Sequence, residues 1–320
     1  MKGIGINHYG DERELTVVDL PDVTIGANDV RISLRASGVN PIDWKLREGY
    51  LKDALNFQPP LILGWDGAGV VTEVGASVNT FAEGDAVYFR PELTEYGTYA
   101  EEIVVDASLV QPKPEELSFE QAASLPLVGL TSVEGLIDVA NVQAGQRVLI
   151  LGGSGGVGTV AIQMAKALGA HVTTTSSFKN REFASARGAD EVVAYDEDEV
   201  IQGEFDVLFD AVGGAPYHKA ISHVKDDGVA VSIAGGGSQN DDVKKIETEK
   251  LIQVHNIFMN PTPTKMESLH EFVTKKDVYP VLSHTYPMTV DGAKNAHLDS
   301  ASERTTGKIV LVREQDAPIE

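Results

Sequence analysis

The apolar positions of the chain follow two different periods, and the change comes near residue 120. Before that point, apolar residues alternate with polar ones or form short β-branched runs, which is typical of strands with one buried face. Glycine, proline, asparagine and aspartate separate these runs, as turns between strands do. The runs lie at 15–20, 29–36, 70–74 and 103–105. This part of the chain predicts a mostly antiparallel β domain.

From about residue 121, short apolar runs alternate with stretches of helical spacing. Helices are predicted at 119–125 and 131–139. The alternating strands and helices then fall at 148–151, 157–169, 171–175, 179–187, 191–195, 205–209, 215–223, 228–233 and 252–258. Such alternation predicts an α/β fold with a doubly wound parallel sheet and right-handed crossovers.

The last part of the chain returns to the strand pattern. A helix is predicted near 264–275 and a final strand at 308–312, and we expect that strand to rejoin the β domain. The α/β domain would then be inserted between two parts of a discontinuous β domain. The predicted domains are 1–120 with 285–320, and 121–284.

Composition places the chain among soluble globular proteins and removes several function classes. Of its 320 residues 42% are hydrophobic and 23% charged, and no apolar run approaches the roughly 18 residues of a membrane span. Cysteine is absent, so disulfides, thiolate zinc sites and cysteine nucleophiles are excluded. The first residues read as a strand rather than a signal peptide, and a cytoplasmic location is expected. The net charge of -22 disfavours nucleic-acid and anionic-membrane partners.

A strand, a glycine turn and a helix follow one another directly between residues 148 and 169. The turn carries the pattern G-x-G-x-x-G beginning at Gly153. Glycine lets the backbone approach a pyrophosphate closely, and the helix start presents free N–H groups to it. We expect Ser154, Gly155, Gly156 and Val157 to contact a dinucleotide. The alternative is a glycine-rich turn that only packs the helix on the sheet.

The end of the next predicted strand indicates which nucleotide is bound. An Asp or Glu at this position usually reads the free 2′-hydroxyl of NAD. The chain instead has Ser176, Ser177, Lys179 and Arg181, and hydroxyls with cations suit the dianionic 2′-phosphate of NADPH. The alternative is a capping serine followed by the solvated start of a helix. The predicted cofactor is NADPH.

Seven short motifs stand in a fixed order along the chain. They are Ala-Ser-Gly-Val-Asn-Pro-Ile-Asp-Trp-Lys at 36–45, Gly-Trp-Asp-Gly-Ala-Gly-Val-Val at 64–71, Gly-Asp-Ala-Val at 84–87, Gly-Thr-Tyr-Ala at 97–100, Leu-Pro-Leu-Val-Gly-Leu-Thr at 125–131, Gly-Gly-Ser-Gly-Gly-Val-Gly at 152–158 and Gly-Lys-Ile-Val at 307–310. Each is weak alone. In this order and spacing they resemble a zinc-independent member of the medium-chain dehydrogenase/reductase superfamily, of the quinone oxidoreductase type. The first motif is similar to the subgroup that includes plant enone and alkenal reductases.

The resemblance spans nearly the whole chain and implies both a fold and an activity. It implies a GroES-like catalytic domain beside a Rossmann domain, and a homodimer formed through strands of the latter. It also implies hydride transfer from NADPH to a small molecule, either a quinone or the C=C of an α,β-unsaturated carbonyl. Two other functions stay open, namely a zinc-free alcohol dehydrogenase and a non-catalytic NADPH-binding or structural protein, such as the relatives recruited as lens crystallins.

The chain departs from the zinc-dependent branch of the superfamily at each ligand position. Asn40 stands where that branch has a cysteine. Trp65 and Asp66 stand where its Gly-His-Glu motif has the histidine and the glutamate. The lobe held together by four cysteines is missing. A catalytic zinc needs about three protein ligands, so we expect no metal mechanism.

The resemblance also names catalytic candidates. It places Lys45 beside the cofactor, where an ammonium would stabilise the anion left on the acceptor oxygen; the alternative is a solvated lysine on a short amphipathic helix. Asn40 would bind the carboxamide, the substrate or a structural water, or serve only the scaffold. Tyr50 is a candidate pocket wall and proton donor, although solvent also supplies protons. Asp43 and Asp66 are expected to orient the backbone or Lys45 rather than act as acids.

Further cofactor contacts are implied at the ends of the predicted strands and in the first, fifth and last motifs. They are Lys45, Thr131, Tyr195, Val212, Ala234, Gly235, Phe258, Met259 and Lys308.

Overall fold

The computed structural model describes residues 1–235, 240–314 and 317–319. It contains two compact units. Met1–Leu127, Asn260–His270 and Pro280–Glu320 form the first, and Val128–Met259 with Glu271–Tyr279 form the second. This division differs from the predicted boundaries because residues 121–127, 260–270 and 280–284 belong with the β-rich unit. There the Tyr88 hydroxyl lies 3.3 Å from Nδ1 of His270.

The regular elements are numbered in chain order within the described residues. The strands are β1 (Lys2–Ile6), β2 (Thr16–Asp19), β3 (Asp29–Val39), β4 (Leu61–Ile62), β5 (Gly67–Val74), β6 (Ala86–Phe89), β7 (Glu102–Asp106), β8 (Val110–Pro112), β9 (Arg147–Leu151), β10 (His171–Ser176), β11 (Glu191–Ala194), β12 (Phe205–Asp210), β13 (Val224–Ser232), β14 (Gln253–Asn256), β15 (Leu282–Pro287) and β16 (Lys308–Val312). The α-helices are α1 (Pro41–Arg47), α2 (Phe119–Ala123), α3 (Pro126–Val133), α4 (Gly156–Ala167), α5 (Arg181–Ser185), α6 (Gly214–Ala220), α7 (Asp241–Glu249), α8 (Pro263–Lys275) and α9 (Val290–Ala301).

The first unit is organised around β3. Its alternate residues from Val30 to Ala36 are fully buried, as the period of two in the sequence predicts. β3 pairs antiparallel with β5, β7 and β16, and the sheet runs in the order β15-β16-β3-β5-β6-β8. Ile309 lies opposite Val39. The last strand therefore rejoins the β-rich unit, as predicted, and brings Lys308 to the point where β3 ends and α1 begins.

The second unit contains a parallel sheet in the order β11-β10-β9-β12-β13-β14. Val148 to Leu151 in β9 are buried, as expected for a strand covered on both faces. The prediction of an α/β fold with a doubly wound parallel sheet is confirmed. Because all these strands run in one direction, their carboxyl ends lie along one edge, where α/β sheets bind ligands.

The segment predicted as one helix at 131–139 is divided between an α-helix and a π-helix. α3 ends at Val133, and residues Glu134–Val139 continue as a π-helix. A Cβ on Gly135 would lie 2.3 Å from the Phe209 ring. The missing side chain therefore lets β12 pack directly against this wider turn.

Several elements had no sequence prediction, among them the short strands β4, β6 and β8 and the later elements α7, β15 and α9. The buried face of α9 consists of Gly292, Ala293, Ala296 and His297, which gives only a weak apolar period because small residues score low. In the described part of the chain, every helix is too short or too polar to cross a bilayer.

Candidate active site and cofactor edge

In the glycine turn after β9, two glycines have no room for a side chain and a third has room. A Cβ on Gly153 would lie 2.1 Å from the Thr174 hydroxyl oxygen, and one on Gly158 would lie 2.2 Å from the Gly152 carbonyl oxygen. Both positions therefore need glycine for packing. A Cβ on Gly155 would meet only the Gly152 oxygen, at 3.4 Å. The turn thus leaves space at Gly155 for a close ligand.

The start of α4 supplies hydrogen-bond donors at that space. The first helical bond runs from the Thr159 N–H to the Gly155 carbonyl at 3.0 Å, so the N–H groups of Gly156, Val157 and Gly158 precede the helical ladder. Together with the positive end of the helix dipole they suit a pyrophosphate. Ser154 stands in the turn itself, and its hydroxyl accepts from the Asn180 amide at 3.3 Å.

The end of β10 carries an unused hydroxyl. The Ser176 hydroxyl donates to the Ser177 carbonyl at 2.9 Å. Ser177 is 7% exposed, and its own hydroxyl oxygen has no hydrogen-bond partner within the described ranges. Buried hydroxyls are normally satisfied, so this orphan group fits a ligand that supplies the missing bond.

The end of β10 and residues 177–181 form a corner of the second unit. The two predicted cations at this corner differ in what surrounds them. Lys179 is exposed and forms no ion pair with any described residue. Arg181 is bonded to the Glu199 carboxylate, and its guanidinium lies 5.5 Å from the Phe178 ring centre. The other Glu199 oxygen accepts from the Ala194 N–H at 2.8 Å. That backbone bond, followed by Arg181, holds the pKa of Glu199 below its usual value.

The sequence showed no acid at the end of β10, but the turn after β11 supplies two. Besides Glu199, Asp196 accepts from the Phe178 N–H at 2.7 Å. Parallel pairing of β10 with β11 brings these carboxylates to the corner. Local sequence order carries no sign of this.

The remaining strand ends expose apolar or small residues along the same edge of the sheet. Tyr195, Val212, Ala234, Gly235 and Phe258 are exposed, whereas Thr131 and Met259 are buried. Such a row of apolar surface suits the flat rings of a dinucleotide.

A buried aspartate fixes the middle of this edge. Asp210 accepts from the N–H groups of Val212 and Gly213 at 2.9 and 2.8 Å, and from the Ser232 hydroxyl at 2.6 Å. It thereby ties the end of β12 to the end of β13.

In the first unit, Asn40, Asp66 and Lys308 form a buried polar cluster. The Asn40 amide donates to Asp66 at 2.8 Å and accepts from the Lys308 ammonium. Lys308 is 5% exposed and also donates to the Val39 carbonyl at 3.0 Å. Burial lowers its pKa, while the charge of Asp66 opposes that shift. Both ends of the Asn40 amide are thus engaged within the protein.

A second buried chain of groups starts from Asp43 in α1. Its carboxylate accepts from the Asn40 N–H and from the Tyr99 hydroxyl, both at 2.8 Å. Burial raises the pKa of Asp43 to about 7. The Tyr99 hydroxyl lies 3.4 Å from Nε2 of His297, and Arg47 lies 3.3 Å from Nδ1. Burial, followed by the charge of Arg47, lowers the pKa of His297 to about 3.

The two other catalytic candidates are exposed, Lys45 on α1 and Tyr50 in the turn that follows it. The Lys45 ammonium lies 5.5 Å from the Trp44 ring centre. The Tyr50 ring meets Trp44 edge-on at 6.2 Å. Lys45 and Tyr50 therefore flank one indole, apart from the buried Asn40.

The positions that correspond to zinc ligands are filled by packed side chains. Trp65 is fully buried, and Arg90 donates to its carbonyl at 3.0 Å. Asp66 and Asn40 are bonded to Lys308 as described. Among residues 1–235, 240–314 and 317–319, no group of three or more His, Asp or Glu side chains stands together as a metal site.

A parallel sheet with a glycine turn after its first strand, together with a β-rich unit, is an architecture found in dinucleotide-binding oxidoreductases. The alcohol dehydrogenase GroES-like domain family matches residues 26–115, and the zinc-binding dehydrogenase family matches residues 187–311. The chloroplast envelope quinone oxidoreductase homolog of Arabidopsis thaliana is 31% identical, over 97% of this chain and 98% of its own. The 2-methylene-furan-3-one reductase of Solanum lycopersicum is 32% identical, over 97% of this chain and 79% of its own.

Solved structures agree with this assignment. The quinone oxidoreductase from Coxiella burnetii has a TM-score of 0.86 at 31% identity and covers 98% of this chain and 99% of its own. A mycobacterial protein solved with NADPH has a TM-score of 0.83 at 26% identity, covering 98% and 100%. An NAD-dependent alcohol dehydrogenase has a TM-score of 0.88 at 28% identity, covering 98% and 99%. The chain belongs to the medium-chain dehydrogenase/reductase superfamily, and within it to the quinone oxidoreductase type.

Proposed function

We propose that the protein transfers hydride from NADPH to a quinone or to the C=C of an α,β-unsaturated carbonyl, without a metal. The observation that carries the cofactor assignment is the corner after β10. There the buried Ser177 hydroxyl lacks a partner and the Lys179 ammonium lacks a counter-charge among the described residues. A 2′-phosphate would satisfy both groups.

The chain holds a dinucleotide through backbone and side chains together. The N–H groups at the start of α4 and the space at Gly155 would take the pyrophosphate. Ser177 and Lys179 would take the 2′-phosphate. The exposed apolar residues Tyr195, Val212 and Phe258 would lie against the rings. Bound NADPH would supply the hydride that the acceptor receives.

Lys45 is the residue that we assign to the acceptor. Hydride addition to an enone leaves negative charge on the carbonyl oxygen, and an ammonium nearby lowers the barrier by stabilising that charge. The Lys45 ammonium faces the Trp44 ring and forms no ion pair in the described part of the chain. It is therefore available to a ligand. The α-carbon of the acceptor then takes a proton, which solvent can deliver.

The first experiment tests the cofactor. NADPH and NADH are titrated separately into the protein, its Lys179→Ala variant and a control, Lys244→Ala. Lys244 is an exposed lysine on α7. We expect NADPH to bind tighter than NADH, and Lys179→Ala to weaken only NADPH, by about tenfold or more. Equal losses for both cofactors would contradict the assignment.

The second experiment tests the reaction class. NADPH oxidation is followed with a quinone, a small enone and a ketone, and NADP⁺ reduction is followed with a small alcohol. We expect turnover with the quinone or the enone. Turnover with only the alcohol and ketone would indicate an alcohol dehydrogenase. NADPH binding without any turnover would indicate a non-catalytic protein.

The cellular setting also stays a proposal. We expect a cytoplasmic homodimer, although the name of one relative places that protein at the chloroplast envelope. Fractionation of cells and sedimentation of the purified protein would test the two expectations separately.

A further inference from the structure

The corner after β10 holds a cation that is already neutralised. The Arg181 guanidinium is bonded to Glu199, and each of the two side chains is 37% exposed. The Nε of Arg181 is buried without a hydrogen-bond partner in the described residues. Arg181 begins α5 one 3-10 turn after Ser177. Its partner Glu199 bonds to Ala194, which lies opposite Ser176 in the pairing of β10 with β11, so Arg181 stands at the same corner as Ser177. Arg181 is thus placed for a ligand at Ser177 but is held by Glu199.

Glu199 is held independently of Arg181. One of its oxygens accepts from the Ala194 N–H, at the end of β11. Its pKa is lowered by that bond and by Arg181, so the carboxylate stays charged at neutral pH. Release of Arg181 would therefore leave Glu199 at the corner as a fixed negative charge.

A dianionic phosphate at Ser177 would be affected both by the pairing of Arg181 and by the charge of Glu199. The pair of Arg181 and Glu199 contributes no net charge, and the carboxylate itself repels a phosphate at short range. Lys179 is then the cation that supplies net attraction to the phosphate. A nucleotide lacking the 2′-phosphate is not affected by this balance.

We infer that Glu199 limits the preference for the 2′-phosphorylated cofactor by holding Arg181 away from the phosphate. The inference rests on the proposed use of NADPH and assigns a specificity-determining role to Glu199. Discharging this residue would free Arg181 to bind the phosphate and would also remove the repulsion. The Glu199→Gln substitution does both. It also keeps an oxygen that accepts from the Ala194 N–H, which preserves the turn after β11.

The test uses adenosine 2′,5′-bisphosphate and 5′-AMP, which differ only in the 2′-phosphate. Their dissociation constants are measured by calorimetry for the parent, Glu199→Gln, Arg181→Ala and the double variant. Glu197→Gln is the control because it makes the same chemical change two residues away, where no described group pairs with the side chain. Thermal melting of each variant accompanies the titrations.

We expect Glu199→Gln to raise the preference for the bisphosphate by about three- to tenfold, a modest gain because solvent screens a partly exposed pair. Arg181→Ala alone should lower that preference by about two- to threefold, since it leaves the Glu199 carboxylate without its counter-charge and solvent screens the resulting repulsion. In the Glu199→Gln background the same substitution should abolish the gain. Glu197→Gln should behave as the parent.

Failure of this inference and failure of the proposed cofactor are distinguishable. If the parent prefers the bisphosphate and Glu199→Gln does not increase the preference, the role of Glu199 is wrong while the NADPH assignment stands. If the parent shows no preference and Glu199→Gln creates one, the role of Glu199 stands while the NADPH assignment fails. Persistence of the gain in the double variant would also overturn the inference, because the gain would then not depend on Arg181.

Discussion

At the scale of single residues, Lys45 offers the sharpest test of the proposed chemistry. Lys45→Ala should lower enone or quinone turnover by about a hundredfold, since it removes a charge-stabilising donor. The melting temperature should stay nearly unchanged because the side chain is exposed and forms no ion pair in the described structure. Lys45→Arg should restore only part of the rate, because the planar guanidinium fills space differently. The measurement is single-turnover oxidation of bound NADPH.

The control is Lys52→Ala, a neighbouring exposed lysine. It should react at the parent rate. If Lys45→Ala also melts and reacts like the parent, then Lys45 is a solvated surface residue and the acceptor is stabilised by other groups.

Asp43 and His297 are both buried, and their effects on stability against pH have opposite signs. The pKa of Asp43 is about 7 in the fold and about 3.9 when unfolded. Its contribution is therefore full below about pH 4 and is lost as the pH rises to about 7. The pKa of His297 is about 3 in the fold and about 6.5 when unfolded. Its contribution is full above about pH 6.5 and is lost as the pH falls towards 3.

Between about pH 4 and 6.5 the two groups change the free energy of unfolding with pH in opposite directions, and the two changes cancel. Each pH dependence should therefore appear when the other residue is replaced. Relative to the parent, Asp43→Asn should melt at a temperature that rises with pH over this range, and His297→Gln at one that falls. Asparagine keeps an oxygen for the Tyr99 hydroxyl and the Asn40 N–H. The measurement is calorimetric melting across the range. Curves parallel to that of the parent in both variants would show that neither group changes protonation there.

At the scale of elements, the glycine turn separates packing from binding. Gly158→Ala puts a Cβ 2.2 Å from the Gly152 carbonyl oxygen, so β9 and α4 must move apart. We expect a loss of about 1–3 kcal/mol in the free energy of unfolding, together with loss of NADPH binding. Denaturant unfolding and titration measure the two effects.

Gly155→Ala is the matched variant one turn earlier. Its φ of −76° suits any residue, and the added Cβ would be 3.4 Å from the nearest atom. It should unfold like the parent and still bind NADPH more weakly, because the methyl group occupies the space proposed for the pyrophosphate. If both variants bind NADPH as the parent does, the turn serves only packing.

At the scale of the whole molecule, the reaction should be independent of metal. The ligand positions of the zinc branch hold Asn40, Trp65 and Asp66, and the Lys308 ammonium is bonded to the first and last of these. A cation beside Lys308 would meet like-charge repulsion. Treatment with a chelator should leave NADPH oxidation at its original rate, and elemental analysis should find no stoichiometric zinc. A zinc alcohol dehydrogenase treated in parallel should lose activity, whereas recovery of this protein only with added zinc would refute the prediction.

Many of the secondary-structure elements can be predicted from local patterns in the sequence. The alternation in β3, the apolar run of β9 and the helical spacing of α4 predicted their elements because strand and helix periods depend on near neighbours. The glycine turn was predicted for the same reason. Motif order extended this to the family, which the comparisons confirm. By contrast, α9 buries mainly alanine and glycine, and a stripe of small residues has little apolar period to detect.

The tertiary structure alone decided which charged groups meet. Arg181 and Glu199 are neighbours because β10 and β11 pair in parallel, and Lys308 reaches Asn40 because β16 pairs with the end of β3. These contacts depend on sheet order and register between distant segments, for which no local pattern exists. The sequence by itself determined that hydroxyls and cations follow the strand β10. The fold determined that one of those cations is already paired, because a carboxylate comes to it from the neighbouring strand.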